Sequence, residues 1–250
     1  MPNLYGKTIL VTGAGGGIGA ATARALAEAN ARLVLADINE SAAEEIASEI
    51  RSGGGDALAC RVDVVDEASV AKVVALALDH YGALNGSCVV AGIGPARKQV
   101  HEMPLDEWSR VIAVNLTGAF LSLKHSLAAM VPRKSGSIVV VASTASVLGT
   151  AGGSDYCASK SGLLGLLRSA SIENAQRGIR INGVLPGATS TPLFEGGLSE
   201  EHIRRVAAEH PMGRLGQPVE IARAMRWLLS DEASFVTGAC FAIDGGRMAI

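Results

Sequence analysis

Aromatic side chains are scarce, at 4% of residues against 48% hydrophobic, so the core of this chain has to be aliphatic. Neither sign of charge dominates. Twenty-two Lys and Arg against 24 Asp and Glu leave a net charge of −2, and no basic run occurs. That argues against nucleic acid or an anionic membrane as the main partner. Unbroken apolar runs are short; Ile138 to Ala142 is typical, far below the ~20 residues that span a bilayer. No charged N-terminal segment is followed by an apolar one, so no signal peptide is read. The four cysteines (Cys60, Cys88, Cys157 and Cys240) are scattered without a C-x-x-C pair. Reduced thiols and a cytoplasmic location are therefore expected. The five histidines lack metal-ligand spacing, and no metal is predicted. His202 and His210 flank a charged stretch that reads as a solvated helix face.

What the chain does have begins at its N-terminus. Lys7 to Thr12 reads as a buried strand, Gly13-Ala14-Gly15-Gly16-Gly17-Ile18-Gly19 follows at once, and an alanine-rich helix comes next. Strand, glycine turn and helix form the context of a dinucleotide-binding loop. Glycine allows a tight turn and close backbone approach to a pyrophosphate, while the helix N-terminus offers N–H groups and positive dipole. A second strand ends at Asp37, eighteen residues past Gly19. A carboxylate there suits the ribose hydroxyls of NAD and repels the 2′-phosphate of NADP, and no Lys or Arg lies between Gly13 and Gly19 to neutralise a phosphate. The competing reading is that Asp37 caps the next helix.

Strand-like runs at 7–12, 32–37, 56–62, 86–91, 136–142, 179–184 and 239–243 alternate with helical patterns at 17–30, 40–52, 66–81, 106–131, 155–177 and 217–230. This alternation predicts an α/β fold: one Rossmann-type, doubly wound parallel sheet of about seven strands, helices on both faces, in a single domain spanning 1–250. Gly13, Asp37, Asp63, Gly92, Ser143 and Pro186 all fall at or just after predicted strand ends, where such sheets bind ligands. The excursion 186–216, with a short amphipathic helix at Ser199 to Glu209, is a candidate substrate lid or else a rigid capping helix.

Tyr156 and Lys160 stand four apart, and Ser143 precedes the tyrosine by thirteen residues. On a helix, positions i and i+4 share a face. A phenol with an ordinary pKa of about 10 needs help to act as a base, and an ammonium lowers that pKa. With Ser143 donating to a substrate oxygen, the trio can move a proton on or off an alcohol or carbonyl.

Taken together, these segments resemble the classical short-chain dehydrogenase/reductase family over nearly the whole chain. Thr12-Gly13-x-x-x-Gly17-Ile18-Gly19 is similar to its cofactor loop, Asp63-Val64 to its adenine contact, and Ala91-Gly92 to the end of its fourth-strand motif. Asn115 with Ser143, Tyr156 and Lys160 matches its catalytic tetrad. Pro186-Gly187, Thr189 and Thr191-Pro192 resemble the segment at the nicotinamide end, and Gly213-Arg214, Pro218, Glu220 and Asp244-Gly245-Gly246 its C-terminal signatures. The resemblance implies a homotetramer and reversible oxidation of a small secondary alcohol to a ketone. Tyr156 would be the general acid/base and Ser143 would polarise the oxygen. Lys160 would tune the tyrosine and bind the nicotinamide ribose, and Asn115 would hold a water of a proton relay. Two alternatives stay open: an NADP enzyme like the 3-oxoacyl-carrier-protein reductases, and a non-catalytic nucleotide sensor. One departure is visible, since Val89-Val90 stand where the family carries Asn-Asn.

Overall fold

The computed structural model describes residues 3–196 and 198–250; Gly197, inside the expected lid, lies outside the described residues. Seven parallel strands form one sheet: β1 (Thr8–Thr12), β2 (Arg32–Asp37), β3 (Asp56–Arg61), β4 (Gly86–Val89), β5 (Gly136–Val141), β6 (Ile179–Pro186) and β7 (Cys240–Ile243), in the order β3-β2-β1-β4-β5-β6-β7. This is the doubly wound, Rossmann-type arrangement. The order reverses between β1 and β4, which pair in parallel from Ile9 with Gly86 to Thr12 with Val89. The crevice for a nucleotide therefore opens beyond Thr12 and Val89.

Side-chain alternation along the strands supplies two cores. Ile9, Val11, Val139 and Val141 face one side, with α1 (Gly17–Ala27), α2 (Glu40–Ser52) and α9 (Pro218–Leu229). Leu10, Ile138 and Val140 face the other, with α3 (Glu67–Tyr81), α5 (Gly118–Met130) and α6 (Ser154–Ala175). The scarcity of aromatics is met by Leu, Ile, Val and Ala throughout. Cys60, Cys88 and Cys240 sit in strands and Cys157 in α6, and all four are free thiols.

The expected helix 106–131 is three pieces: α4 (Leu105–Ile112), a π-helical turn Ala113–Thr117, and α5. The Gly118 N–H bonds the Ala113 carbonyl five residues back, inserting one extra residue per turn. The turn, Ala-Val-Asn-Leu-Thr, holds no glycine or proline that would mark it in the sequence. The whole run Leu105–Arg133 is long and apolar enough by length and composition to cross a membrane, yet its buried side packs on β4, α3 and α6 as a core helix. The expected strand 86–91 stops at Val89, and β6 runs on to Pro186. A short helix not expected from sequence, α7 (Pro192–Glu195), is capped by Thr191, whose hydroxyl accepts the Phe194 N–H at 3.2 Å. The amphipathic helix of the 186–216 excursion is α8 (Glu200–Ala208), capped by Ser199.

Candidate active site

The glycine turn is shaped by contacts that exclude side chains. Gly13 has φ +71°, and a β-carbon there would lie 2.8 Å from the Ala91 backbone. At Gly19 it would lie 1.9 Å from the Gly13 carbonyl, so α1 can start directly against the turn only with glycine. No side chain caps the N-terminus of α1, which leaves its first N–H groups free for an anion. Asp37 lies beside this turn. One carboxylate oxygen accepts the Gly15 N–H and the other the Asn39 N–H, each at 2.9 Å. It does not cap α2; Asn39 does, accepting the Ala42 N–H. Each Asp37 oxygen keeps a lone pair, so the residue still fits a ribose diol. Asp63 accepts the Val65 N–H at 3.1 Å, and Val64 packs under Gly118, where a β-carbon would approach it to 2.7 Å.

The Val89-Val90 departure is resolved by Thr12. Its hydroxyl accepts the Val90 N–H at 3.2 Å and the Ala91 N–H at 3.5 Å, and donates to the Cys88 carbonyl at 3.4 Å. One hydroxyl thus ties the ends of β1 and β4 without the missing amides. Sequence reasoning quoted Thr12 but gave it no role. The signal was there, in a polar residue at the last position of an otherwise apolar strand.

The π-helical turn places Asn115 inward. The side chain is 1% exposed; its carbonyl accepts the Ile93 N–H at 2.8 Å, while its amide donates to the Ile93 carbonyl at 2.9 Å and the Ser159 hydroxyl at 3.2 Å. A β-carbon on Gly92 would sit 3.2 Å from the Asn115 carbonyl oxygen and 3.6 Å from the Lys160 ammonium, so this glycine keeps the two polar groups within reach of one space.

Tyr156 and Lys160 share one face of α6, and the ammonium lies 5.7 Å from the phenol ring centroid. Lys160 donates to the Val141 carbonyl at 2.8 Å. Two of its three N–H donors remain for ligand and solvent. Burial lowers the Lys160 pKa to about 8. For Tyr156 burial also dominates and raises the pKa above its ordinary value, against which the Ser143 hydroxyl works by hydrogen bonding. The expectation that Lys160 lowers the tyrosine is thereby corrected: burial sets the direction of the shift. Ser143 caps the start of the short helical turn Thr144–Ser146 after β5, its oxygen accepting the Ala145 N–H at 3.1 Å. Asp155, fully buried and absent from the sequence-based site, accepts the Ala96 N–H at 2.9 Å and so fastens the loop after β4 to the start of α6.

A buried ammonium is costly. The gap between 10.5 and about 8 corresponds to roughly 3 kcal/mol. Lys160→Met should raise Tm at pH 7 by on the order of 5 °C while removing turnover. Below about pH 8 the lysine is charged in both folded and unfolded chains, and the full penalty applies. From there to 10.5 only the unfolded chain holds the proton, so folding of the wild type gains from this group as pH rises. Burial of Cys88 and Tyr81 acts in the opposite direction but equally in both proteins. The thermal advantage of Lys160→Met, measured by calorimetry, should therefore shrink between pH 7 and pH 10.

Pro186 ends β6, and Gly187, Thr189 and Thr191 follow it. Thr189 and Thr191 are buried, and a β-carbon on Gly17 would meet Thr191 at 3.3 Å, so this segment borders the glycine turn. Leu193 of α7 faces Gly94 across the cleft, at 4.0 Å from a β-carbon built there. Contacts thus join Gly13 to Ala91, Gly15 to Asp37, Gly17 to Thr191, Gly92 to Asn115 and Lys160, and Lys160 to Tyr156 at the carboxyl ends of the strands.

A family model described as enoyl-(acyl carrier protein) reductase matches residues 13–247. The cis-4-hydroxycyclohexanecarboxylate dehydrogenase of Sinomonas cyclohexanicum is 44% identical over 244 residues, which cover 98% of this chain and 97% of the relative. The chain is a classical short-chain dehydrogenase/reductase. The cyclohexanol dehydrogenase of Acinetobacter sp. (strain SE19) is another member with this resemblance, 40% identical over 96% of this chain and 94% of its own. The crystal structure of levodione reductase superimposes with a TM-score of 0.96 at 32% identity, covering 99% of both chains. As a short-chain dehydrogenase/reductase the protein is an oxidoreductase that interconverts secondary alcohols and ketones with a nicotinamide cofactor.

Proposed function

We propose that this short-chain dehydrogenase/reductase uses NAD to oxidise a secondary alcohol carried on a six-membered carbocycle. The observation that carries the reading is the meeting of half-buried Tyr156 and Ser143 with buried Lys160, which Gly92 and Ala91 connect to the glycine turn. Gly13, Gly17, Ile18 and Gly19 hold the pyrophosphate, Asp37 the adenosine ribose, and Asp63, Val64, Ala91 and Gly92 the adenine side. Pro186, Gly187, Thr189 and Thr191 border the nicotinamide. NAD, when bound, supplies the ring that accepts hydride from the carbinol carbon. Ser143 donates to the substrate oxygen and fixes its position. Tyr156 takes the hydroxyl proton, and Lys160, with two donors free, steadies the resulting phenolate and passes the proton toward solvent through a water held beside Asn115. Because burial keeps Tyr156 protonated, alcohol oxidation should quicken as pH rises.

The ring preference is drawn from the named activities of the two relatives and from Leu193 facing Gly94 across the cleft. Formation of NADH should be fastest with cyclohexanol or cis-4-hydroxycyclohexanecarboxylate, slower with 2-butanol, and weakest with a 3-hydroxyacyl thioester. A preference for the thioester with NADP would favour the acyl-reductase reading instead. The apolar groove of Phe120, Leu123, Leu127, Val131, Leu166 and Ala170 between α5 and α6 supports assembly with further copies in a cytoplasmic homotetramer, for which light scattering should return a four-subunit mass.

A further inference from the structure

The sequence placed His210 at the edge of a solvated helix face; the structure buries it, at 4% exposure, between the end of α8 and the segment after β6. Its two ring nitrogens have different partners. Nδ1 lies 2.9 Å from the Val206 carbonyl in the last turn of α8, and Nε2 lies 3.1 Å from the Ala188 N–H. A carbonyl only accepts and a backbone N–H only donates, so the partners dictate a neutral imidazole with its proton on Nδ1. The ring is pressed against Gly187, where a β-carbon would stand 2.8 Å from Nε2 and 2.9 Å from the Asp244 backbone. Glycine is required there for the imidazole to reach Ala188 at all.

The same segment has a second attachment. Gly216 bonds Ala188 and Ser190 through backbone contacts of 2.9 Å, forming the stem on which the 186–216 excursion returns. His210 is the side-chain link between that excursion and the strand end. We propose that His210 is a positioning residue that holds Gly187–Thr191 in place for the nicotinamide and couples it to α8; this rests on the cofactor reading given above. Other charged groups around the ring are Asp244, whose oxygens accept the Gly246 and Met248 N–H groups, and Glu209, which pairs with Arg247 at 3.1 Å. Both carboxylates are committed to those partners, and neither replaces the acceptor that Ala188 requires.

The test is NAD affinity by calorimetry for wild type, His210→Ala and His210→Gln. Loss of a buried hydrogen bond predicts that His210→Ala binds NAD about 10-fold more weakly. His210→Gln, whose side-chain oxygen can accept from Ala188, should stay within about 3-fold of wild type, on the same energetic scale. KM for NAD should follow these affinities while kcat changes less, and exchange of the Ala188 amide with deuterium should accelerate in His210→Ala. A purely structural role would lower Tm and leave NAD affinity alike in all three proteins, which would overturn the proposal. Wild type without NAD affinity would instead overturn the cofactor reading, and the proposal with it. If His210→Ala does not fold, His210→Leu, which keeps bulk but offers no acceptor, decides against the glutamine variant by the same affinities.

Discussion

Tyr156→Phe should cost about three orders of magnitude in kcat and leave NAD affinity within a few-fold of wild type. The substitution removes one oxygen from a half-buried ring whose neighbours include the Lys160 ammonium and the Ser143 hydroxyl. Among the described residues no other titratable hydroxyl is placed with this pair, so the substrate proton has no comparable acceptor. Hydride transfer without proton removal would have to pass through a protonated ketone, which is why the loss should fall on kcat more than on binding. Retention of more than a tenth of wild-type turnover would mean that another group moves the proton, and the role assigned to the tyrosine would fall.

The second large effect concerns coenzyme choice. Wild type should favour NAD over NADP by roughly 100-fold in kcat/KM. Repulsion between a carboxylate and a phosphate at contact is about 4 kcal/mol at an effective dielectric of 20, and solvent around the half-exposed Asp37 reduces it. Asp37 has two jobs here, because it also braces Gly15 and Asn39. Asp37→Ala separates them. If the charge selects the coenzyme, kcat/KM with NADP should increase in absolute terms while that with NAD falls. If bracing of the glycine turn were all that mattered, both would fall together. Parallel kinetics with the two coenzymes decide between these outcomes.

Much of this was legible before any coordinates, and the reason is periodicity. A parallel sheet buried on both faces writes itself as β-branched runs between helical patterns, so all seven strands were placed within a few residues. Glycines were legible because only they fit: Gly13 against Ala91 and Gly19 against Gly13 leave no room for a β-carbon. What escaped was set by tertiary contact. The π-helical turn Ala113–Thr117 holds no glycine or proline that would mark a break in the helix. Thr12 ties β1 to β4 through a single hydroxyl, a contact visible only once the two strands are paired. His210 looked solvated beside its charged neighbours, yet the chain after α8 turns inward and buries it. The direction of the Tyr156 shift was likewise misjudged, because its burial could not be weighed against the lysine from spacing alone.

The measurement that bears most directly on the central claim is a crystal structure of the protein with NAD and a cyclic alcohol substrate. The pyrophosphate should lie on the Gly13–Gly19 turn, and the alcohol oxygen should sit within hydrogen-bond distance of both the Tyr156 and Ser143 hydroxyls, with its carbinol carbon facing the nicotinamide. A nucleotide bound elsewhere, or an alcohol oxygen out of reach of Tyr156, would contradict the account.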